Sequence, residues 1–166
     1  TSHISYYHLT IEPNTLFHKF PPKLPNEDES AEIFDLIINE LNKAGFNRYE
    51  TSAYAKKDAQ CLHNLNYWEF GDYIGFGAGA HSKLTDAKNI YRQSCYKNPR
   101  DYINNANNEN FYAEKKILSA NDIIFEFMMN ALRLSNGFIK NLFEERTNLS
   151  ISVIEKEINI AKHRKL

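Results

Sequence analysis

The chain has 166 residues, 42% hydrophobic and 13% aromatic, enough for one domain or two small lobes around a real core, which excludes compositional disorder. Its 20 Lys+Arg stand against 21 Asp+Glu, a net charge of -1, so no whole-chain positive field gathers nucleic acid or anionic membrane. No apolar run approaches the roughly 20 residues needed to span a bilayer, and no basic stretch leads into an apolar signal core.

Charge is mildly asymmetric: 6 basic and 10 acidic residues run through Phe70, and 14 and 11 follow it, giving -4 and +3. The two cysteines, Cys61 and Cys95, supply neither a disulfide framework nor a four-thiolate metal site, so a reduced, cytoplasmic compartment is expected.

Residues 3–11 are rich in β-branched and aromatic types and lead into Glu12-Pro13-Asn14, which predicts a strand with Glu12 at its C-terminal end. This strand opens at once behind Thr1, and the chain closes on Lys165-Leu166 directly after a helix, so a fragment with two cut ends is expected. Asn26 with Glu29 three positions on marks a helix start, Ile33, Phe34, Ile37, Leu41 and Ala44 recur at helical spacing, and Gly45 ends the run. Phe46 to Tyr54 reads as a second strand, so the first half is expected to form a βαβ unit with parallel pairing.

Residues 55–71 read as a long polar and aromatic loop, of the kind that is commonly functional. Tyr73 to His81 reads as a third strand thinned by Gly75, Gly77 and Gly79, which implies that a backbone or a ligand comes close there. Ile90 to Tyr96 reads as a short strand, and 104–110 as a surface loop. The remainder is expected to be helical: Ser119 with Asp122 caps a helix carrying Ile124, Phe127, Met128, Ala131 and Leu134, a second helix covers 138–146, and a third follows Ser150. Three short helices with tight turns suggest a truncated winged-helix-like domain. The class is therefore α/β, α+β overall.

The densest group of chemically capable residues is Cys61-Leu62-His63-Asn64-Leu65-Asn66-Tyr67-Trp68. A neutral imidazole ligates iron or zinc, a thiolate two positions away is a second donor, and flanking aromatics suit a flat apolar ligand such as a porphyrin. The plainer reading is that Asn64 and Asn66 bond loop backbone while Tyr67 and Trp68 fill the core. Glu12, Ser52 and His81 each fall at a predicted strand end, where α/β proteins place working residues, or simply cap loops. The Gly75-Gly77-Gly79 spacing does not fit a dinucleotide loop. Lys162-His163-Arg164-Lys165 reads as a solvated helix end rather than a nucleic-acid contact. A docking role for 119–166 toward a protein partner is a third reading.

Four segments carry a family resemblance: Ser5 to Thr15, Tyr49-Glu50-Thr51-Ser52-Ala53-Tyr54-Ala55, Cys61 to Trp68, and Gly71 to Ser82, joined loosely by Phe125-Glu126-Phe127-Met128-Met129-Asn130. In order and register they resemble the HemW haem chaperones of the radical S-adenosylmethionine superfamily, proteins often labelled oxygen-independent coproporphyrinogen III oxidases. The resemblance implies that residues 1–97 are the last strands of a partial (β/α) barrel and 98–166 a truncated helical C-terminal domain. It implies a haem-related role for His63, as candidate iron ligand, with Asn64, Tyr67 and Trp68, and delivery of haem to an acceptor apo-haemoprotein. The alternative is radical oxidative decarboxylation of coproporphyrinogen. The family's [4Fe–4S] cluster and S-adenosylmethionine need a Cys-x-x-x-Cys-x-x-Cys loop, and this chain, with two cysteines, lacks it and is expected to be inactive alone. An opened barrel leaves strand edges that invite association, so a homodimer is among the expected partners.

Overall fold

A computed structural model describes residues 1–164 and divides the chain into two compact units, 1–61 and 62–166; Lys165, the last residue of the predicted basic run, and Leu166 lie outside the described residues. The expected division after residue 97 falls inside the second unit. No helix among the described residues is long and apolar enough to cross a membrane.

The first unit holds β1 (His3–Ser5), α1 (Leu16–Lys19), α2 (Glu27–Lys43), β2 (Asn47–Glu50) and β3 (Ala53–Ala55). Helix α2 begins where the sequence signals it: the Asn26 side chain accepts from the Glu29 N–H at 2.9 Å and the Glu29 carboxylate accepts from the Asn26 N–H at 2.9 Å. Glu27, Asp28 and Glu29 in its first turn oppose the helix dipole. It closes at Ala44, followed by Gly45 at φ +81°.

The predicted strand 46–54 is two strands. Glu50, 1% exposed, accepts from the Ser52 N–H and the Thr51 hydroxyl, each at 3.0 Å, and turns the chain back on itself. Strand β3 therefore lies between β1 and β2 and is antiparallel to both. The expected parallel βαβ pairing does not form, although β1 and β2 run in the same sense. The first predicted strand also stops early, at Ser5, which leaves Glu12 in an exposed loop rather than at a strand end. Ser52 sits in the hairpin turn, its carbonyl accepting from the Tyr6 N–H at 2.8 Å. Phe46, Tyr49, Ala53, Tyr54 and Ala55 are buried.

The second unit holds α3 (Leu62–Trp68), β4 (His81–Thr85), β5 (Ile90–Cys95), α4 (Pro99–Ala106), β6 (Tyr112–Ile117), α5 (Ala120–Ala131), α6 (Lys140–Thr147), a 3-10 turn (Ile151–Ile154) and α7 (Glu155–His163). Strands β4, β5 and β6 form an antiparallel meander. The predicted loop at 55–71 contains α3. The predicted strand at 73–81 is irregular: Tyr73 alone bridges, to Lys83, and a Cβ on Gly75 would collide with the carbonyl oxygen of His81. The close neighbour is backbone and belongs to Gly75 alone: a Cβ at Gly77 would meet nothing within 4 Å and one at Gly79 only ordinary contact with Lys97. His81 accordingly begins a strand instead of following one. Strand β6, exposed along its whole length, carries no apolar pattern that would announce it, and the predicted loop 104–110 starts inside α4.

The C-terminal helices follow the sequence signals more closely. Ser119 and Asp122 form a capping box at the start of α5. Phe127, fully buried, meets Phe70, Phe138 and Phe143 edge-on with ring centres 5.9, 4.9 and 5.0 Å away, and Ile90, Leu118, Ile123, Ala131 and Ile154 complete the cluster. Phe125, two positions earlier, is 65% exposed. Phe127→Ala should therefore cost about 4 kcal/mol and Phe125→Ala under about 1 kcal/mol, measured by urea unfolding of the two variants.

Candidate functional site

Helix α3 is seven residues long, too short to persist without neighbours. Its C-terminal end is fixed by a double closure: the Phe70 N–H donates to the Tyr67 carbonyl at 3.0 Å and the Gly71 N–H to the Asn66 carbonyl at 2.7 Å. Phe70 takes the left-handed conformation at φ +57°, a position usually given to glycine, and is 1% exposed. Its ring is buried in the core cluster, and that burial holds the unfavourable backbone in place. Gly71 is required because a Cβ there would strike the Asn66 side chain, whose amide donates to the Asp72 carbonyl at 2.9 Å. Asn66 thus bonds backbone, as the plainer reading of this segment expects.

Lys83 locks the following turn to β4. It is 2% exposed, donates to the Phe70 carbonyl at 2.9 Å and to Asp72 Oδ1 at 2.8 Å, and stands 4.1 Å from the Phe70 ring centre. Asp72 also accepts from the Thr85 N–H and hydroxyl, each at 2.8 Å. Burial pulls the Lys83 ammonium below its usual range, against the opposing hydrogen bond and charge of Asp72. Partial burial raises Asp72, but hydrogen bonds from Lys83 and Thr85 outweigh it and hold the carboxyl below its usual range.

On α3 the predicted residues separate into two faces. His63 and Tyr67, one turn apart, meet edge-on with ring centres 4.9 Å apart. Tyr67 packs on Tyr73 at 4.5 Å, and the Tyr73 hydroxyl accepts a hydrogen bond from Arg92. Arg92 in turn donates from Nε and Nη2 to Glu126 Oε2 at 2.9 and 2.6 Å. His63 is exposed, and its ring nitrogens have no hydrogen-bond partner among the described residues.

Asn64 and Trp68 share the other face, and Trp68 lies about 140° round the helix from His63. The Arg133 guanidinium stands 4.3 Å from the Trp68 ring centre, and the enclosed Trp68 Nε1 has no acceptor among the described residues. The structure therefore brings His63 and Tyr67 together and turns Trp68 toward the C-terminal end of α5.

His81, exposed, lies on one face of the second sheet with Ser94 and Glu114, its neighbours across β5 and β6. The next row on that face is Lys83, Arg92 and Lys116, three cations side by side. Each draws a carboxylate from outside the sheet: Asp72, Glu126, and Asp122 at 3.2 Å from Lys116. Lys83, Arg92 and Glu126 were not singled out by sequence; a buried lysine in a short strand leaves no periodic trace.

Glu12 and Ser52 belong to the first unit and His81 to the second, as described above. Among the described residues no three or more His, Cys, Asp or Glu side chains gather to hold a metal ion. Cys61 and Cys95 are free thiols. A wide, open depression along the 3-10 turn and α7, bordered by Ser152, Lys156 and His163, holds none of the predicted site residues.

Residues 118–162, which hold α5, α6, the 3-10 turn and most of α7, match the HemN C-terminal domain family. Over 96% of its length the chain is 48% identical to the haem chaperone HemW of Haemophilus influenzae and 44% identical to that of Escherichia coli, covering 41% of each. A solved structure of Escherichia coli coproporphyrinogen III oxidase (HemN), described as a radical SAM enzyme, matches 76% of the chain and 31% of its own with TM-score 0.55 at 17% identity, a likeness of fold. The chain is similar to the C-terminal portion of those haem chaperones, and it spans about two fifths of the length of the curated relatives it matches.

The Asp72–Lys83 contact generates a pH prediction. A carboxyl lowered in the folded state contributes stability that is present above its unfolded value, about 4, and lost as pH falls through the lower folded value. Wild type should lose urea resistance as pH drops below about 4, whereas Asp72→Asn should start less stable at pH 7 and show a flatter acid limb.

Proposed function

We propose that this chain contributes the haem-contacting surface of a haem chaperone, with His63 as the iron ligand and Tyr67 against the macrocycle. The observation that carries the reading is the exposed, unpartnered imidazole of His63 set edge-on to Tyr67, in a sequence whose relatives are named haem chaperones. Exposed apolar side chains occur in the same stretch of sequence: Leu62, Ile74 and Phe76 are 79%, 57% and 86% exposed. Covering such surface gains about 25 cal/mol per Å², while an imidazole–iron bond fixes orientation. Asn64 and Trp68 act from the adjacent face, Trp68 by holding α3 against Arg133. His81 in the second unit, and separately Glu12 and Ser52 in the first, are further candidate site residues.

The same reading assigns 1–97 to the end of a partial (β/α) barrel and 98–166 to a winged-helix-like C-terminal domain. It gives the [4Fe–4S] cluster and S-adenosylmethionine to the portion of the longer relatives that this chain does not span. The recipient is an apo-haemoprotein, and the free thiols favour a cytoplasmic setting. The coproporphyrinogen oxidase alternative draws on a likeness of fold and no feature of α3.

Haemin titrated into the chain should produce a shifted Soret band that His63→Ala abolishes, with affinity falling at least about tenfold. An unchanged band and affinity in His63→Ala would remove the ligand role.

A further inference from the structure

The sheet face that carries His81 holds a small cavity of about 90 Å³ lined by His81, Arg92, Gln93, Ser94, Glu114 and Lys116. Resting on the haem reading above, we infer that this cavity receives a carboxylate substituent of the tetrapyrrole, so that the chain selects ligands by their acid side chains as well as by iron.

Three observations converge. First, the lining carries three basic side chains, His81, Arg92 and Lys116, against one carboxylate, Glu114, with Gln93 and Ser94 uncharged. Arg92 commits Nε and Nη2 to Glu126 and Nη1 to Tyr73, which leaves two of its five N–H groups open. Lys116 is tied only to Asp122 at 3.2 Å with both side chains well exposed, a weak pair, and His81 is exposed at the rim. Glu114 is the single carboxylate in the lining; Asp72, Asp122 and Glu126 reach their cations from outside it.

Second, Lys83, Arg92 and Lys116 stand directly opposite one another across three strands, and although Asp72, Glu126 and Asp122 answer them one for one, the Lys116 pair at the cavity is the exposed one and leaves that ammonium open to a competing carboxylate.

Third, the cavity adjoins the imidazole face through Arg92. The Arg92 guanidinium lies 5.6 Å from the Tyr73 ring centre, Tyr73 lies 4.5 Å from Tyr67, and Tyr67 lies 4.9 Å from His63. A flat macrocycle held by His63 that extends over Tyr67 toward Tyr73 would carry the acid groups at its edge toward Arg92. The volume suits one carboxylate and excludes the ring itself.

The test compares haemin with haemin dimethyl ester, whose two acids are masked. The chain should bind haemin at least about tenfold more tightly than the ester. The double variant His81→Gln/Lys116→Gln, both changes at exposed positions, should bring the two ligands to within about twofold, and Glu114→Gln should widen the wild-type ratio. Equal binding of haemin and ester by the unaltered chain overturns the inference while the haem reading stands. So does a ratio that the double variant leaves intact, or one that Glu114→Gln narrows. Failure to bind either ligand overturns both.

Discussion

The second unit depends on one buried charge. Removing an ammonium from water is worth several kcal/mol against folding, and Lys83 is tolerated because a carbonyl, a carboxylate and an aromatic face all meet it at contact distance. The consequence is positional. The carbonyl belongs to Phe70, the residue that ends α3, and the carboxylate to Asp72, which also binds Thr85 on the same strand. Losing the ammonium would leave two acceptors short of a donor and free the turn that aims α3.

The same cross-strand row extends the constraint. Lys83 binds the turn after α3, Arg92 binds Glu126 in the middle of α5, and Lys116 binds Asp122 in its first turn. Three like charges that would otherwise force the strands apart become three attachment points for the elements above the sheet. Asp122 serves twice, since it also closes the capping box with Ser119. The helix is thereby aligned on the sheet by polar contacts, and Phe127 adds its burial. Packing supplies the bulk of the stability, and the charges supply the register.

What was legible in the sequence divides along a physical line. The starts of α2 and α5 were readable because a capping box is written within four residues and needs nothing else. Pairing in the first sheet was not: the fold-back at residues 51–52 depends on a buried glutamate and has no Asn-Gly or Gly-rich turn to announce it. Strand β6 escaped because it buries nothing, and α3 because seven residues are too few for a helical repeat to stand out. His63, Asn64, Tyr67 and Trp68 were findable as residue types, yet their division between two faces follows only from the helix. Of the glycines at 75, 77 and 79 only Gly75 meets the close approach they suggested, and its object, the His81 carbonyl, was invisible without coordinates.

Helices α3 and α5 show how stability and ligand contact are kept apart. Helix α5 buries Ile123, Phe127 and Ala131 and holds the core, so its side chains are committed. Helix α3 buries none of its seven residues fully and is placed by what surrounds it: Phe70 below, Lys83 and Asp72 behind, Tyr73 and Arg92 at its side. An element held from outside leaves its own outward face uncommitted, which is why an imidazole can stand there without a hydrogen-bond partner. The orientation of that imidazole is then set at a distance. Glu126 fixes Arg92, Arg92 fixes Tyr73, and Tyr73 bounds the space that Tyr67, and with it His63, can occupy.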